Sequence, residues 1–132
     1  MSNKHFGSWA YLETGGSFEK ISINGKKLKQ KDYQADKSIP VIDQGQQFIG
    51  GYTSREDLKV SEKPVIVFGD HTKIIKYVNF DFVPGADGIK VLKPLKMFEP
   101  KLLYYFMHAI PLPDKGYARH FQFLEKAPIP LP

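Results

Sequence analysis

The sequence contains no cysteine. That excludes a disulfide scaffold and every thiolate metal site, and it accords with a reducing compartment. No apolar run approaches the about 18 residues needed to cross a bilayer, and the opening residues MSNKHFGSW carry no apolar signal core. The expectation is a cytoplasmic protein without membrane association. Catalytic signatures are missing as well. Asn24-Gly25-Lys26-Lys27 lacks the leading glycine and the hydroxyl of a Gly-x4-Gly-Lys-Ser/Thr phosphate loop, and no Gly-x-Gly-x-x-Gly pattern occurs. None of the histidines (His5, His71, His108, His120) lies three to five residues from another, which excludes a helix-borne zinc pair. No metal, no cofactor and no catalytic residue is expected.

What is present is a balanced, basic chain. With 132 residues, 42% of them hydrophobic and 25% charged, it suits one globular domain and not a disordered segment. Nineteen basic residues oppose fourteen acidic ones, for a formal charge of +5. The surplus is compatible with nucleic acid, although solubility alone explains many such balances. Lys20, Lys26, Lys27, Lys29, Lys31 and Lys37 crowd one stretch against only Asp32 and Asp36. A solvated loop would look the same.

Eleven glycines and ten prolines cut the chain into short pieces. Asn24-Gly25 between Ile21–Ile23 and Lys26–Leu28 suits a hairpin turn. Strands are expected at Ile39–Asp43, Val65–Phe68, Lys73–Val78 and Gly88–Leu92. In the third of these, Ile74, Lys76 and Val78 share one face. A helix is expected from Pro100, with Leu103, Phe106, Met107 and Ile110 on one side and Pro111 and Pro113 as stops. Met97 is expected in the same core. Phe121 and Phe123 alternate with His120 and Gln122 as in a half-buried strand, and residues 127–132 form an extended Pro-rich stretch. The expected fold class is α/β (α+β): a single domain of short, mainly antiparallel or mixed strands with a few short helices, one near 100–110.

One constellation invites a catalytic reading. Phe68-Gly69-Asp70-His71-Thr72-Lys73 follows an apolar strand directly, where sites are often built. Asp70 beside His71 would suit acid–base chemistry in a small hydrolase with both side chains facing a deep pocket. Sequence neighbours usually point apart, and no serine or cysteine stands beside them. A turn in which Asp70 or Thr72 bonds nearby backbone is the simpler reading.

Several ordered motifs carry a family resemblance. Ser38-Ile39-Pro40-Val41-Ile42-Asp43-Gln44-Gly45, Val65-Ile66-Val67-Phe68-Gly69-Asp70-His71-Thr72-Lys73 and Asp81-Phe82-Val83-Pro84-Gly85-Ala86-Asp87-Gly88-Ile89-Lys90-Val91-Leu92 follow one another. Gly116-Tyr117-Ala118-Arg119-His120-Phe121 through Pro128-Ile129-Pro130-Leu131-Pro132 closes the series, and Trp9 and Thr14-Gly15-Gly16-Ser17-Phe18 open it. Together they resemble the target-recognition domain of type I restriction-modification specificity subunits. The resemblance implies that residues 1–132 are one such domain, without the spacer helix and second recognition domain of a full subunit. It implies sequence-specific recognition of one half of a bipartite DNA target by a non-catalytic component. The implied partners are double-stranded DNA, the methylation (M) subunit and, through it, the restriction (R) motor-nuclease subunit.

Residue chemistry then nominates contacts. Gln44, Gln46, Gln47, Tyr52, Arg55, His71, Thr72, Arg119 and His120 are the candidates for reading bases, since glutamine pairs with adenine and arginine with guanine in the major groove. Lys26, Lys27, Lys29, Lys31 and Lys73 are the phosphate candidates. Polar loops and the outer faces of strands would account for the same residues, and Arg55 could pair with Glu56 or Asp57. A protein- or small-ligand-binding module on the same scaffold is the alternative function.

Overall fold

The computed structural model describes residues 3–6, 9–114 and 119–131. These form ten strands and two α-helices: β1 (Asn3–Phe6), β2 (Trp9–Glu13), β3 (Phe18–Ile21), β4 (Ile39–Ile42), β5 (Gly51–Thr53), β6 (Val65–Gly69), β7 (Ile75–Val78), β8 (Val83–Pro84), β9 (Ile89–Pro94), α1 (Pro100–Ala109), α2 (Phe121–Lys126) and β10 (Pro128–Pro130). The central sheet is antiparallel in the order β3-β9-β6-β7. A second antiparallel sheet runs β1-β2-β10, and a third runs β5-β4-β8 with β4 and β8 parallel. The class is mixed α/β with short, mainly antiparallel strands, as the sequence pattern requires.

Val65–Phe68 is apolar at every position because both faces of β6 are covered. Ile66 and Phe68 join Leu92, Leu103, Met107, Phe121 and Leu124 in one core, beneath the helices. Val65 and Val67 join Val78, Val91, Ile42 and Phe82 in a second core on the opposite face. Alternation along a strand sends odd and even residues to opposite sides, so a doubly covered strand needs a continuous apolar run. Helix α1 begins at Pro100, and Glu99 accepts a hydrogen bond from the Leu102 amide at 2.6 Å. Leu103 and Met107 are its buried residues.

Three expectations are corrected. Residues 23–26 do turn, with Lys26 N donating to Ile23 O at 3.0 Å and Gly25 at φ +77°. No hairpin follows, because Asn24 lacks the positive φ that a type I′ turn requires at both central positions. β3 pairs with β9 instead, and Leu28 bridges to Gly85. Residues 121–126 are helical, because a three-residue offset buries Phe121 and Leu124 together while Gln122 stays exposed. Met97 is outside the core, 53% exposed. Residues 116–118 of the closing motif, and Pro132, lie outside the described residues.

Candidate functional site

Four segments meet at one end of the central sheet: the loop after β4 (residues 43–50), the β6–β7 turn (70–74), the β8–β9 connection (85–88) and the approach to α2 at residues 119–120. Gln44 ties three of them together. Its Oε1 accepts from the amides of His71 (3.0 Å) and Thr72 (3.3 Å), and its Nε2 donates to Asp87 O at 2.8 Å. Close approach makes this possible: a Cβ on Gly69 would lie 2.6 Å from Gln44 Cβ, and Gly88 sits at φ +80° against the same side chain. Asp70 N donates to Gly88 O at 2.8 Å, which joins the β6–β7 turn to the β8–β9 connection.

Asp43 and Lys76 form a second anchor. Lys76 Nζ donates to Asp43 O and to Gln47 O, both at 2.7 Å, and lies 3.7 Å from the Asp43 carboxylate. Its side chain is only 4% exposed, so burial pulls the ammonium below its ordinary pKa while Asp43 opposes that shift. Tyr33 OH donates to Asp43 at 3.0 Å, and burial together with the carboxylate raises the phenol well above its usual range. Asp43 also accepts from Gly45 N at 3.0 Å. The 43–48 loop is thus held from both sides by charged or amide groups, and Gln46, Gln47 and Phe48 project from it, exposed.

The nominated residues fall into distinct groups. Gln46, Gln47, Thr72 and Arg119 are exposed on the rim, and His71 is half-buried there. Lys73 occupies the left-handed region at φ 64° and, with Gln46, lines a cavity of about 410 Å³ between β7 and the end of α1. Lys27 reaches the rim through an ion pair with Asp87 (3.5 Å), which helps hold that carboxyl below its ordinary pKa after the Gly88 amide. Lys29 and Lys31 are exposed beside it in sequence. Lys26 instead donates to Lys59 O at 3.2 Å. Tyr52 lies in β5, its backbone paired with Gln34. Arg55 forms a fork with Asp57 (2.9 and 2.8 Å), the local ion pair weighed from sequence. His120 is corrected as a base reader, because it is fully buried. Its amide and Nδ1 both engage Asp70.

The acid–base reading of Asp70 and His71 also fails on geometry. The Asp70 carboxylate accepts from His120 N (2.9 Å) and Phe121 N (2.8 Å) and lies 3.3 Å from Arg119, whereas His71 lines a different cavity with Gln44 and Asp87. Sequence reasoning missed Lys76 and Asp43 as organisers. The signal was available: a lysine sharing its strand face with Ile74 and Val78 must be buried, and a buried ammonium needs acceptors. Substituting Gln44 tests the clamp directly. Gln44→Ala is expected to cost about 1–2 kcal/mol and to speed hydrogen exchange at the His71 and Thr72 amides while leaving β6 protected.

Together, the fold and site define a mixed α/β domain with a braced, polar, partly basic loop rim. No protein-family model matches the chain. It is 34% identical over 88 residues to the EcoR124I/EcoR124II type I restriction enzyme specificity subunit of Escherichia coli, a match covering 64% of this chain and 22% of that subunit. The type I restriction-modification S subunit of M. genitalium superposes with a TM-score of 0.68 at 16% identity, over 93% of this chain and 34% of that one. The HsdS subunit of Thermoanaerobacter tengcongensis gives 0.55 at 17% identity, over 98% and 36%. The chain is thus similar in sequence to a type I specificity subunit and shares its fold with part of two solved S subunits, and it spans about a fifth of the curated relative's length.

Proposed function

We propose that this chain recognises one half of a bipartite DNA target, as the non-catalytic specificity component of a type I restriction-modification complex in the cytoplasm. The observation that carries the reading is the sequence match to a specificity subunit, joined to a fold shared over 93% of the chain. The rim supplies suitable chemistry. Gln46, Gln47 and Thr72 offer hydrogen-bonding groups for base edges, Arg119 and Lys73 offer cations for phosphates, and Lys29 and Lys31 add exposed cations in the segment after Lys27. Residues 1–132 then act as one recognition unit. A spacer, a second unit and the methylation subunits complete the assembly, and the restriction subunit joins through the latter.

Selection from a randomised duplex library tests this, with the chain alone at low salt and joined to a full specificity subunit carrying its methylation subunits. Enrichment of a short motif is expected. Assembly of the complex without any sequence preference would sink the reading. About three to five phosphate contacts should make log K fall with log salt at a slope of roughly −3 to −4, and isolated binding should be weak, about 10⁻⁴ to 10⁻⁶ M. A slope near zero would remove the basic rim from the interface.

A further inference from the structure

We infer that Phe48 is a specificity-determining residue that reads the 5-methyl group of thymine, a reading that rests on the DNA-recognition function proposed above. Among the described residues the exposed large hydrophobics are Phe48, Leu95, Met97, Leu102 and Tyr105. Of these, Phe48 is the one carried by the braced 43–50 loop. It is 44% exposed, and its ring meets Phe80 edge-on, with centroids 5.8 Å apart and planes at 89°. Phe80 itself packs against the second core.

The backbone immediately before Phe48 is fixed by the Lys76 bond to Gln47 O, and the loop's entry is fixed by Asp43 and Gln44. An aromatic ring presented this way loses little freedom on contact, so its burial is not offset by ordering. The major groove displays one apolar group on its base edges, the thymine methyl, and on an A·T pair it shares the groove edge, beyond the thymine O4, with the adenine N6 and N7 that a glutamine can engage. Gln46, Gln47 and Phe48 therefore form a consecutive set whose chemistry matches A·T pairs: amides for the adenine edge and a ring for the methyl. Nothing in the loop matches a guanine edge as well, since Arg119 belongs to a different segment of the rim.

Replacing thymine with deoxyuridine removes only the methyl and tests the inference. Duplexes carrying the motif enriched by the wild-type chain are compared with versions in which each thymine becomes deoxyuridine. The wild type is expected to lose about fourfold in affinity at one or two thymines, the value of one buried methyl. Phe48→Ala is expected to keep its fold and salt slope and to bind thymine and deoxyuridine duplexes equally. Phe48→Leu should retain part of the difference. An enriched motif without A·T pairs overturns the inference. So does equal wild-type binding to the two duplexes, or a methyl effect that persists in Phe48→Ala. A folded Phe48→Ala chain that binds no DNA at all overturns it too, because one methyl contact is too small to account for that loss and a different role is then required. In each of these cases DNA recognition itself survives. Failure to enrich any motif instead removes the underlying function, and the inference with it.

Discussion

Replacing Asp70 with alanine is expected to release helix α2 from the central sheet and to lower stability by about 3 kcal/mol. The carboxylate is 2% exposed and lies at the end of β6, yet it serves α2: its Oδ1 accepts from the His120 and Phe121 amides. His120 N has a second acceptor in Asp70 O at 2.7 Å, so Phe121 N is the amide left without its charged partner. α2 is six residues long and lacks a side-chain cap of its own, so it depends on this borrowed one. The same carboxylate brings Arg119 to the rim. Thermal unfolding should shift down by about 10 °C for a domain of this size. Hydrogen exchange should rise first in residues 121–126. Asp70→Asn keeps a neutral acceptor for the amides and gives up the charge assistance and the pair with the exposed Arg119, so it should cost less than Asp70→Ala. A loss below about 1 kcal/mol for Asp70→Ala would show that α2 is held by Phe121 and Leu124 packing alone.

The second large effect concerns Lys76. Lys76→Met preserves the side chain's length and removes the charge, leaving the carbonyls of Asp43 and Gln47 without a donor and the Asp43 carboxylate without its buried cation. The cost should be about 2–4 kcal/mol, with faster exchange across residues 44–49. Because that loop carries Gln46, Gln47 and Phe48, sequence preference should fall toward the non-specific level while the salt slope stays unchanged. Adding Asp43→Asn should recover part of the lost stability, since the orphaned charge is then gone. Additive costs for the two substitutions would mean that the pair does not act as a unit. Sequence preference retained in Lys76→Met would place reading outside the 43–48 loop.

Much of the fold was legible without coordinates, and for identifiable reasons. β4, β6 and β9 announced themselves through apolar runs with proline or glycine near their ends, β7 through the two faces of Lys73–Val78, and α1 through the offsets of Leu103 and Met107 after Pro100. Periodicity reports burial, and these elements bury their apolar faces in an ordinary way. α2 misled because Phe121 and Phe123, read over so few residues, fit a two-residue period as well as a helical one. The decisive partner, Asp70, is 50 residues away from His120 in sequence. The Asn24-Gly25 turn formed without its hairpin for a related reason: only Gly25 takes the positive φ, and the flanking residues pair with β9 and Gly85 instead.

The site divides along the same line. Residue types alone determined that this chain has no thiolate site, no Gly-x4-Gly-Lys-Ser/Thr phosphate loop, an excess of lysine and a cluster of glutamines after β4. They also determined which segments are loops, because glycine and proline punctuation acts within a few residues. Only the tertiary structure decided which polar groups face outward and which are consumed internally. Gln44 and Gln46 are chemically identical and two residues apart, yet one is spent on the backbone of His71, Thr72 and Asp87 while the other projects from the loop. His120 is buried where Arg119 is exposed. A side chain's chemistry is a local property, but the satisfaction of its hydrogen bonds depends on contacts across tens of residues, and that assignment is made when the sheets and helices pack.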